Sequence, residues 1–302
     1  MIHKRNLAIA SLLVLIVSVS AITLAVATRA TGSSSAAGAH STKPSTRAAS
    51  ASPLIIGTRL PTPTPTPVPT ARPATPTVPP VAYVSYFKTL PPGSALPSDA
   101  QCAREIVRNP WEPIPENRTA NQTNVYAQGF RLRNSYLASW DPAYERRTTG
   151  NFTGTTDQIL RWGACKWGFD EDTVRAQAIM ESWWKQSTLG DCNRGPTQPE
   201  TNGCASVGIL QVKGADIPPS FPGVWPAAWT STAFNVDYTL AVRRLCYEGK
   251  ETWLHDSNPA YAAGDLWGCI GSWYSGAWHD ASANEYIGKV QAINAAKTWK
   301  TL

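Results

Sequence analysis

The stretch QAIMESWWKQS, residues 177–187, lies in a segment whose apolar residues recur at helical spacing. Acidic residues at 170–172 place negative charge where a helix would begin, and Gly190 predicts that the helix ends just before it. Because residues seven positions apart lie nearly two turns apart, Val174 and Glu181 share one helical face. The carboxylate of Glu181 is therefore expected to point toward the core of the fold.

An inward carboxylate costs free energy unless it is hydrogen-bonded, paired or used chemically. Apolar and aromatic neighbours, together with the negative end of the helix dipole, would raise the pKa of Glu181. A carboxylic acid that stays protonated near neutral pH suits the general acid that cleaves a glycosidic bond. The residues alone leave a structural role open, in which Glu181 is bonded to backbone or paired with an arginine.

Further helix signals surround this segment. A helix is predicted over Thr156–Trp167, with Gly168 as its stop, and another over residues 231–248. Ser282 with Glu285 three residues later predicts a capping box that opens a last helix. Since no long strand pattern appears, the fold class is predicted as mainly α, with five or six short helices joined by long loops.

Two different segments precede this helical region. Residues 1–30 carry Lys4 and Arg5 before an uncharged run, which predicts a membrane-targeting helix that is either a signal peptide or an uncleaved signal anchor. Residues 31–101 are rich in Ser, Ala, Thr and Pro and predict a disordered, extended linker. Residues 102–302 are then one folded domain. The protein is expected to be secreted or membrane-anchored, on the extracytoplasmic side.

The distribution of charge argues against a nucleic-acid partner. The chain has a formal net charge of +6, but residues 1–98 carry eight of its 27 basic side chains and no acid. The remaining 19 basic side chains stand against 21 acidic ones, a net of −2. The folded region is therefore not expected to bind a polyanion. We expect a monomer that contacts a membrane only through its N-terminal segment.

All six cysteines follow the predicted linker, and an even count after an export signal predicts three disulfides. Cys192 and Cys204 bracket a loop rich in Gly, Pro and Asn, so they are predicted to pair. A zinc site is the alternative, but no two cysteines have the short spacing of zinc knuckles and no HExxH motif occurs. No metal and no cofactor is therefore expected.

Glu181 is the first of several short motifs that follow one another in a definite order over about residues 155–296. The motifs are Glu181-Ser182, Gly208-Ile209-Leu210-Gln211, Asn235-Val236, the stretch from Ser272 to Gly276 that contains Trp273 and Tyr274, and Tyr286. In kind and order they resemble the soluble lytic transglycosylase-like domain, a lysozyme-like helical fold of glycoside hydrolase family 23 that includes goose-type lysozymes.

This resemblance implies a substrate and a set of roles. The substrate would be the glycan strand of peptidoglycan, and Glu181 would protonate the oxygen that links N-acetylmuramic acid to N-acetylglucosamine. Its conjugate base would then accept the proton of the sugar's own 6-hydroxyl, which gives a 1,6-anhydro product. The remaining motif residues would bind substrate: Ser182, Gly208, Ile209, Leu210, Gln211, Asn235, Trp273, Tyr274 and Tyr286.

The chain departs from the family pattern at two places. Trp273 and Tyr274 stand where the family has Tyr and Asn, so Tyr286 is the candidate for a tyrosine hydroxyl that contacts Glu181. Lys213 stands where goose-type lysozymes carry an acid, which favours a transglycosylase over a hydrolase.

An inverting hydrolase would need a second carboxylate at about 6.5–9.5 Å to activate water. The candidates in the intervening loops are Asp191, Glu200 and Asp216. Two further alternatives are a glycan-binding module without catalysis and a structural protein that spans the cell wall. The presence of Glu181 argues against the binding module, and a structural protein would explain the Pro/Thr-rich linker but not the motifs.

The tryptophans support a glycan substrate. All 13 follow residue 110, and indole faces stack on sugar rings. Trp183 and Trp184 lie about 100° apart on a helix, so only one of the two is expected to share the face of the cleft. The tryptophans near motif residues that could line a groove are Trp183, Trp184, Trp225, Trp229, Trp273 and Trp278.

Overall fold

The computed structural model describes residues 86–193 and 195–302. The predicted membrane-targeting segment and most of the predicted linker lie outside these residues. Within the described part of the chain, none of the helices combines the length and the apolar composition needed to cross a bilayer.

The described residues form a mainly helical fold with one small sheet, which confirms the predicted fold class. The α-helices are α1 (Asp99–Glu105), α2 (Arg118–Gln122), α3 (Tyr136–Trp140), α4 (Pro142–Arg147), α5 (Thr156–Trp167), α6 (Glu171–Ser182), α7 (Ala227–Thr230), α8 (Thr232–Tyr247), α9 (Leu254–Ser257), α10 (Leu266–Ser275) and α11 (Ala281–Ala296). The strands are β1 (Leu189–Cys192), β2 (Cys204–Val207) and β3 (Val212–Lys213). Short 3₁₀ turns lie at Pro115–Asn117, Pro199–Thr201 and Thr298–Thr301.

Helices α5 and α8 lie where the sequence predicted them. The side chain of Thr155 caps α5 in a capping box with Gln158, and Gly168 ends the helix in the left-handed conformation at φ 63°. Ser231 caps α8, and the helix ends just before Glu248. The predicted number of helices was too low, because α1 to α4 have only five to seven residues each and show no periodicity.

The predicted end of the helix that carries Glu181 was wrong. Helix α6 stops at Ser182, because Trp183 adopts a left-handed conformation with φ 53° and donates its backbone N–H to the carbonyl of Ile179. Gly190, the predicted stop, lies instead within strand β1.

The predicted capping box at Ser282 was also wrong. Helix α11 begins at Ala281, and its cap is Asp280, whose carboxylate accepts the backbone N–H of Ala283 at 2.7 Å. The Ser282 hydroxyl donates to the Asp280 carboxylate and does not accept a backbone N–H as a capping serine would. An aspartate is as good a cap as a serine, and its charge also complements the helix dipole.

Helix α5 packs against both α6 and α8, and α11 packs against α6 and α10. The large side chains of these helices fill one core. Trp162, Trp167 and Trp184 are fully buried, and Trp162 stacks on Phe152 with ring centroids 5.3 Å apart. Burying a large apolar side chain contributes about 1.5–3 kcal/mol, so the tryptophans contribute first of all to stability.

The sheet is antiparallel, in the order β1, β2, β3. Cys192 lies opposite Cys204 in the β1–β2 register, and the two form the predicted disulfide. The other four cysteines are also paired, so the prediction of three disulfides is confirmed. Cys102–Cys165 joins α1 to α5, and Cys246–Cys269 joins α8 to α10.

The folded region begins before the predicted boundary at residue 102. The backbone N–H of Phe87 donates to the Glu171 carboxylate at 3.3 Å, and the Glu171 N–H donates to the Phe87 carbonyl at 3.1 Å. Leu90 donates to the carbonyl of Gly168, and the guanidinium of Arg244 donates back to Leu90. Over residues 86–101 the prediction of a disordered linker was therefore wrong. The few apolar residues there find partners on the helices.

Candidate active site

The predicted motifs, which are far apart in sequence, meet around the turn that joins β2 to β3. The Ser182 hydroxyl at the end of α6 donates to the carbonyl of Ile209 at 2.8 Å. From α8, the amide oxygen of Asn235 accepts the backbone N–H of Leu210 at 3.0 Å. From α10, the indole of Trp273 donates to the carbonyl of Leu210 at 3.2 Å. Three helices thereby hold one hairpin turn in place.

Gly208 opens this turn and can only be a glycine. Its φ is 85°, and a Cβ atom there would lie 2.2 Å from the amide nitrogen of Asn235. The turn also places Gln211 at φ 53°, where its side chain donates to the carbonyls of Thr188 and Gly208. The close approach of the turn to α8 therefore depends on the missing side chain.

Glu181 lies in the last turn of α6, directly before the two tryptophans that turn the chain away. Trp183 and Trp184 both have positive φ, which costs about 1–2 kcal/mol for each non-glycine residue. Backbone strain of this kind is characteristic of functional sites. Tyr286, on α11, donates its hydroxyl to Oε1 of Glu181, and the ring of Tyr274 stacks on Tyr286 at 4.7 Å.

The surroundings of Glu181 favour its protonated form. Burial raises the pKa of Glu181 to about 7, and the charge of Asp191 acts in the same direction. Tyr286, the neighbouring Gln177 amide and the charge of Arg243 act in the opposite direction but do not outweigh burial. The same burial, with the nearby carboxylate, raises the pKa of Tyr286 well above its ordinary value. Below about pH 7 the pair is thus mainly a carboxylic acid beside a neutral phenol, and near neutral pH both forms of Glu181 are populated.

A cavity of about 350 Å³ lies next to residues that act on this pair, although neither Glu181 nor Tyr286 is part of its wall. Tyr274, which stacks on Tyr286, and Arg243, whose charge acts on Glu181, both belong to its wall. The size lies within the range of about 300–1,000 Å³ that is usual for ligand pockets. The residues of its wall that bear on function are Tyr136, Asp191, Ser206, Gln211, Lys213, Phe221, Arg243, Glu251, Trp253, Trp273 and Tyr274.

Among the three predicted second carboxylates, the structure brings only Asp191 to the cavity. It lies in β1 with φ 51°, and it accepts the hydroxyl of Ser206, on β2, at 2.7 Å. Glu200 is exposed in a 3₁₀ turn, and Asp216 accepts the backbone N–H of Ser220 in a surface loop. Lys213 lies in the same wall as Asp191 and contributes a positive charge there.

The predicted substrate-binding residues divide into two groups. Gln211, Trp273 and Tyr274 line the cavity. The others are buried and support the site from behind, so their side chains hold the turn or Glu181 rather than the cavity wall. These are Ser182, Gly208, Ile209, Leu210, Asn235 and Tyr286.

The predicted tryptophans divide in the same way. Trp273 lines the cavity, while Trp184 is in the core and donates its indole N–H to the carbonyl of Arg175 at 3.1 Å. Trp183 is 56% exposed, and it is absent from the cavity wall. Trp278 is buried, and Trp225 and Trp229 are partly buried against the core.

Sequence reasoning missed three polar residues of the cavity wall. Arg243 is buried, and within the described part of the chain all three of its guanidinium nitrogens lack a hydrogen-bond partner. Burial lowers its pKa to about 10. Glu251 and Tyr136 form a hydrogen-bonded pair on the same wall. A signal existed for Arg243 alone, since it lies one residue after the apolar face position Val242 of an amphipathic helix.

Comparison with known proteins does not identify a family for this chain. No family model, no curated protein and no solved structure matches this chain. The resemblance to the soluble lytic transglycosylase-like domain therefore rests on the short sequence motifs alone.

A larger and more open groove, of about 590 Å³, lies near the start of α5. Its carboxylate, Glu112, accepts hydrogen bonds from the Thr156 backbone and hydroxyl and from the Asn121 amide. That carboxylate is engaged in holding the end of a helix, which is a structural role. The cavity beside Glu181 is the one that combines a raised carboxyl pKa with aromatic walls, so it is the candidate active site.

Proposed function

We propose that this protein is an extracytoplasmic glycosidase of peptidoglycan in which Glu181 is the catalytic acid. One observation carries the proposal: Glu181 has its pKa raised to about 7 and is hydrogen-bonded by Tyr286, which stacks on Tyr274 in the wall of an aromatic cavity. A general acid works best when its pKa lies near the working pH. The three disulfides are compatible with an oxidising, extracytoplasmic environment.

In the proposed first step, Glu181 donates its proton to the oxygen between N-acetylmuramic acid and N-acetylglucosamine. The bond from that oxygen to the anomeric carbon breaks, and the leaving sugar departs with the proton. Glu181 is then a carboxylate. Tyr286 stabilises this ionised form through its hydrogen bond, and Arg243 through its charge, since both lower the pKa of Glu181.

In the second step, the Glu181 carboxylate takes the proton of the muramic acid 6-hydroxyl. The 6-oxygen bonds to the anomeric carbon, which gives a 1,6-anhydro end and restores the protonated acid. One carboxylate suffices and no water is consumed. Lys213 supports this lytic transglycosylase outcome, because a cation lies in the wall where a hydrolase of the goose type has an acid.

Hydrolysis is the second candidate, and Asp191 favours it. This carboxylate lies in the wall of the cavity, and its charge acts on Glu181. A carboxylate so placed could accept a proton from water that attacks the anomeric carbon, as in an inverting hydrolase. The product then has a reducing end.

The test is to digest purified peptidoglycan with the full chain and with Glu181→Gln, and to determine the masses of the products. We expect 1,6-anhydro products from the wild type and a loss of rate of about 10²–10⁴ in the variant, because the glutamine cannot donate a proton. The wild-type rate should fall as the pH rises through about 7, since Glu181 then ionises.

The other outcomes decide between the candidates. Reducing ends would replace the transglycosylase with a hydrolase, and Asp191→Asn should then abolish activity. Undiminished activity in Glu181→Gln would remove Glu181 from the mechanism. Retention on the glycan without cleavage by either protein would identify a binding module.

A further inference from the structure

The cavity wall contains a buried carboxyl group, Glu251, which the proposed mechanism does not use. Glu251 follows α8 and is only 3% exposed, yet it belongs to the cavity wall. No cation pairs with it in the described part of the chain. Burial raises its pKa to about 8. At neutral pH this group is a carboxylic acid, and therefore a hydrogen-bond donor.

The direction of the adjoining hydrogen bonds tells which oxygen carries the proton. The indole nitrogen of Trp253 lies 2.7 Å from the hydroxyl oxygen of Tyr136, and an indole N–H can only donate. The Tyr136 oxygen is thus the acceptor, and its own hydrogen points to Oε1 of Glu251, 2.9 Å away. The proton of neutral Glu251 then lies on Oε2, to which no described residue donates.

Four aromatic residues of the cavity wall contact one another in series, and Tyr136 joins them to Glu251. Tyr136, Phe221, Trp253 and Trp273 all line this end of the cavity. Phe221 stacks on Trp273 at 5.5 Å, and Tyr136 meets Phe221 edge-on at 5.4 Å. Such walls favour an apolar group or the flat face of a sugar ring. A ligand that fits this end has an apolar part and one neutral acceptor directed at Glu251.

A carbonyl oxygen is the neutral acceptor that best matches a carboxylic acid donor, whereas an anion would be disfavoured and an amine would ionise the acid. The acetamido group of an N-acetylated sugar has both parts, a carbonyl oxygen and a methyl group. We propose that the Glu251 end of the cavity is a subsite for the acetamido group of an N-acetylhexosamine, whose carbonyl accepts the Oε2 proton of Glu251. This inference rests on the proposed function, since it assumes a glycan in the cavity.

The other titratable groups that face Glu251 do not change charge in the range that matters. They are Tyr136 on α3, Tyr238 on α8 and Tyr261 after α9, and burial raises the pKa of each above its ordinary value of 10. Charged residues lie elsewhere in the wall, namely Asp191, Lys213 and Arg243. A change of affinity between pH 7 and 9 therefore reports Glu251.

The experiment measures binding without cleavage, by titration calorimetry on the full chain carrying Glu181→Gln. The probes are an N-acetylglucosamine oligomer and its N-deacetylated counterpart of equal length. At pH 6 we expect the acetylated oligomer to bind about tenfold more tightly, which corresponds to one hydrogen bond and a buried methyl group. Its affinity should fall as the pH rises through about 8 and Glu251 loses its proton.

Glu251→Gln, added to the same background, is the matched control. A glutamine amide still donates a hydrogen bond but does not ionise, so the affinity at pH 6 should stay within about threefold and become independent of pH. Glu251→Ala should weaken binding of the acetylated oligomer about tenfold. If the alanine variant does not fold, the pH dependence of the affinity of the glutamine variant decides whether Glu251 forms the subsite.

Three results would overturn the subsite: equal or tighter binding of the deacetylated oligomer, no binding of the acetylated one, or an unchanged pH profile in Glu251→Gln. Failure of the proposed function looks different. A wild-type protein that binds the acetylated oligomer through Glu251, but leaves peptidoglycan uncut, would retain the subsite and lose the catalytic role of Glu181. If peptidoglycan is cut but the affinity for the oligomer does not depend on Glu251, the catalytic role of Glu181 is retained and the subsite is rejected.

Discussion

Two of the groups of buried ionisable residues in this fold differ in how completely their charges are paired and hydrogen-bonded. Around Asp237 every charge has partners: its carboxylate accepts from Lys166 at 2.7 Å, from the Trp167 indole at 2.7 Å, and from the backbone N–H groups of Thr149 and Gly150 at 2.8 Å. Around the cavity the opposite holds. The guanidinium of Arg243 has no hydrogen-bond partner among the described residues, and neither of the buried acids there has a cation at ion-pair distance in that part of the chain.

This difference in hydrogen-bond and ion-pair partners distinguishes groups with a structural role from groups with a proposed functional role. A buried polar network with every partner in place stabilises and specifies a fold. Groups that are buried and left incomplete cost stability, and they are found where a ligand or a reaction completes them. By this criterion Asp237 belongs to the framework, while Glu181, Arg243 and Glu251 are candidates for the proposed site.

The largest expected effect tests the framework. Asp237→Ala removes four hydrogen bonds and leaves Lys166, which is fully buried, with Asp99 as its remaining anion at 2.5 Å. Breaking such a pair costs about 3–5 kcal/mol in the free energy of unfolding, measured by urea denaturation. Lys250→Gln is the control, because its pair with Asp141 is partly exposed and should contribute about 1 kcal/mol or less. Equal losses in the two variants would remove the distinction between the networks.

A smaller effect concerns the dependence of stability on pH. Glu251 has an ordinary pKa of 4.5 and a folded-state pKa of about 8, so its contribution is fully present below pH 4.5 and is lost as the pH rises through 8. Between pH 6 and 9 we expect the wild type to lose about 3 kcal/mol relative to Glu251→Gln. The measurement is urea denaturation at each pH, with Glu200→Gln as a control of equal charge. Parallel profiles for the wild type and Glu251→Gln would contradict the prediction.

The smallest expected effect has the opposite sign. Arg243→Met replaces a buried guanidinium without hydrogen-bond partners by an apolar side chain of similar length. We expect the free energy of unfolding to rise by about 1–2 kcal/mol. Arg175→Met is the matched control, since Arg175 is also buried but pairs with Asp157 and Glu171, and its loss should destabilise the fold. A destabilised Arg243→Met variant would place Arg243 in the framework.

Local signals in the sequence were sufficient to predict the bounds of some helices. The cap of Thr155 and the stop at Gly168 define α5 through contacts within one or two turns, so the sequence contains them directly. Gly190 and Ser282 show the limit of the same rules. Each is a residue type that often ends or begins a helix, but Trp183 and Asp280 came first along the chain and took that role.

The site could be predicted where a motif named the residue and not where burial alone defines it. Glu181 and Tyr286 were both anticipated, and the structure joins them by a hydrogen bond. No sequence motif includes Glu251, and in the sequence it is a single acidic residue that follows the end of a helix. Its raised pKa comes from burial in the folded chain, and the partner that acts against this rise, Tyr136, lies 115 residues away. Contacts over such distances along the chain are set by tertiary packing.

The contacts of Phe87 have a mechanical consequence. Phe87 is bonded to Glu171 at the first residue of α6, whereas Glu181 lies in the last turn of the same helix, about 15 Å away at 1.5 Å per residue. A pull on the chain upstream of residue 86 would load these hydrogen bonds and the Leu90–Gly168 bond first. Further along the chain, the Cys102–Cys165 disulfide is a covalent bond that would transfer the tension from α1 to α5. Tension on the upstream chain would thus be borne by α5 and the start of α6 before it reached the end of α6 that carries Glu181.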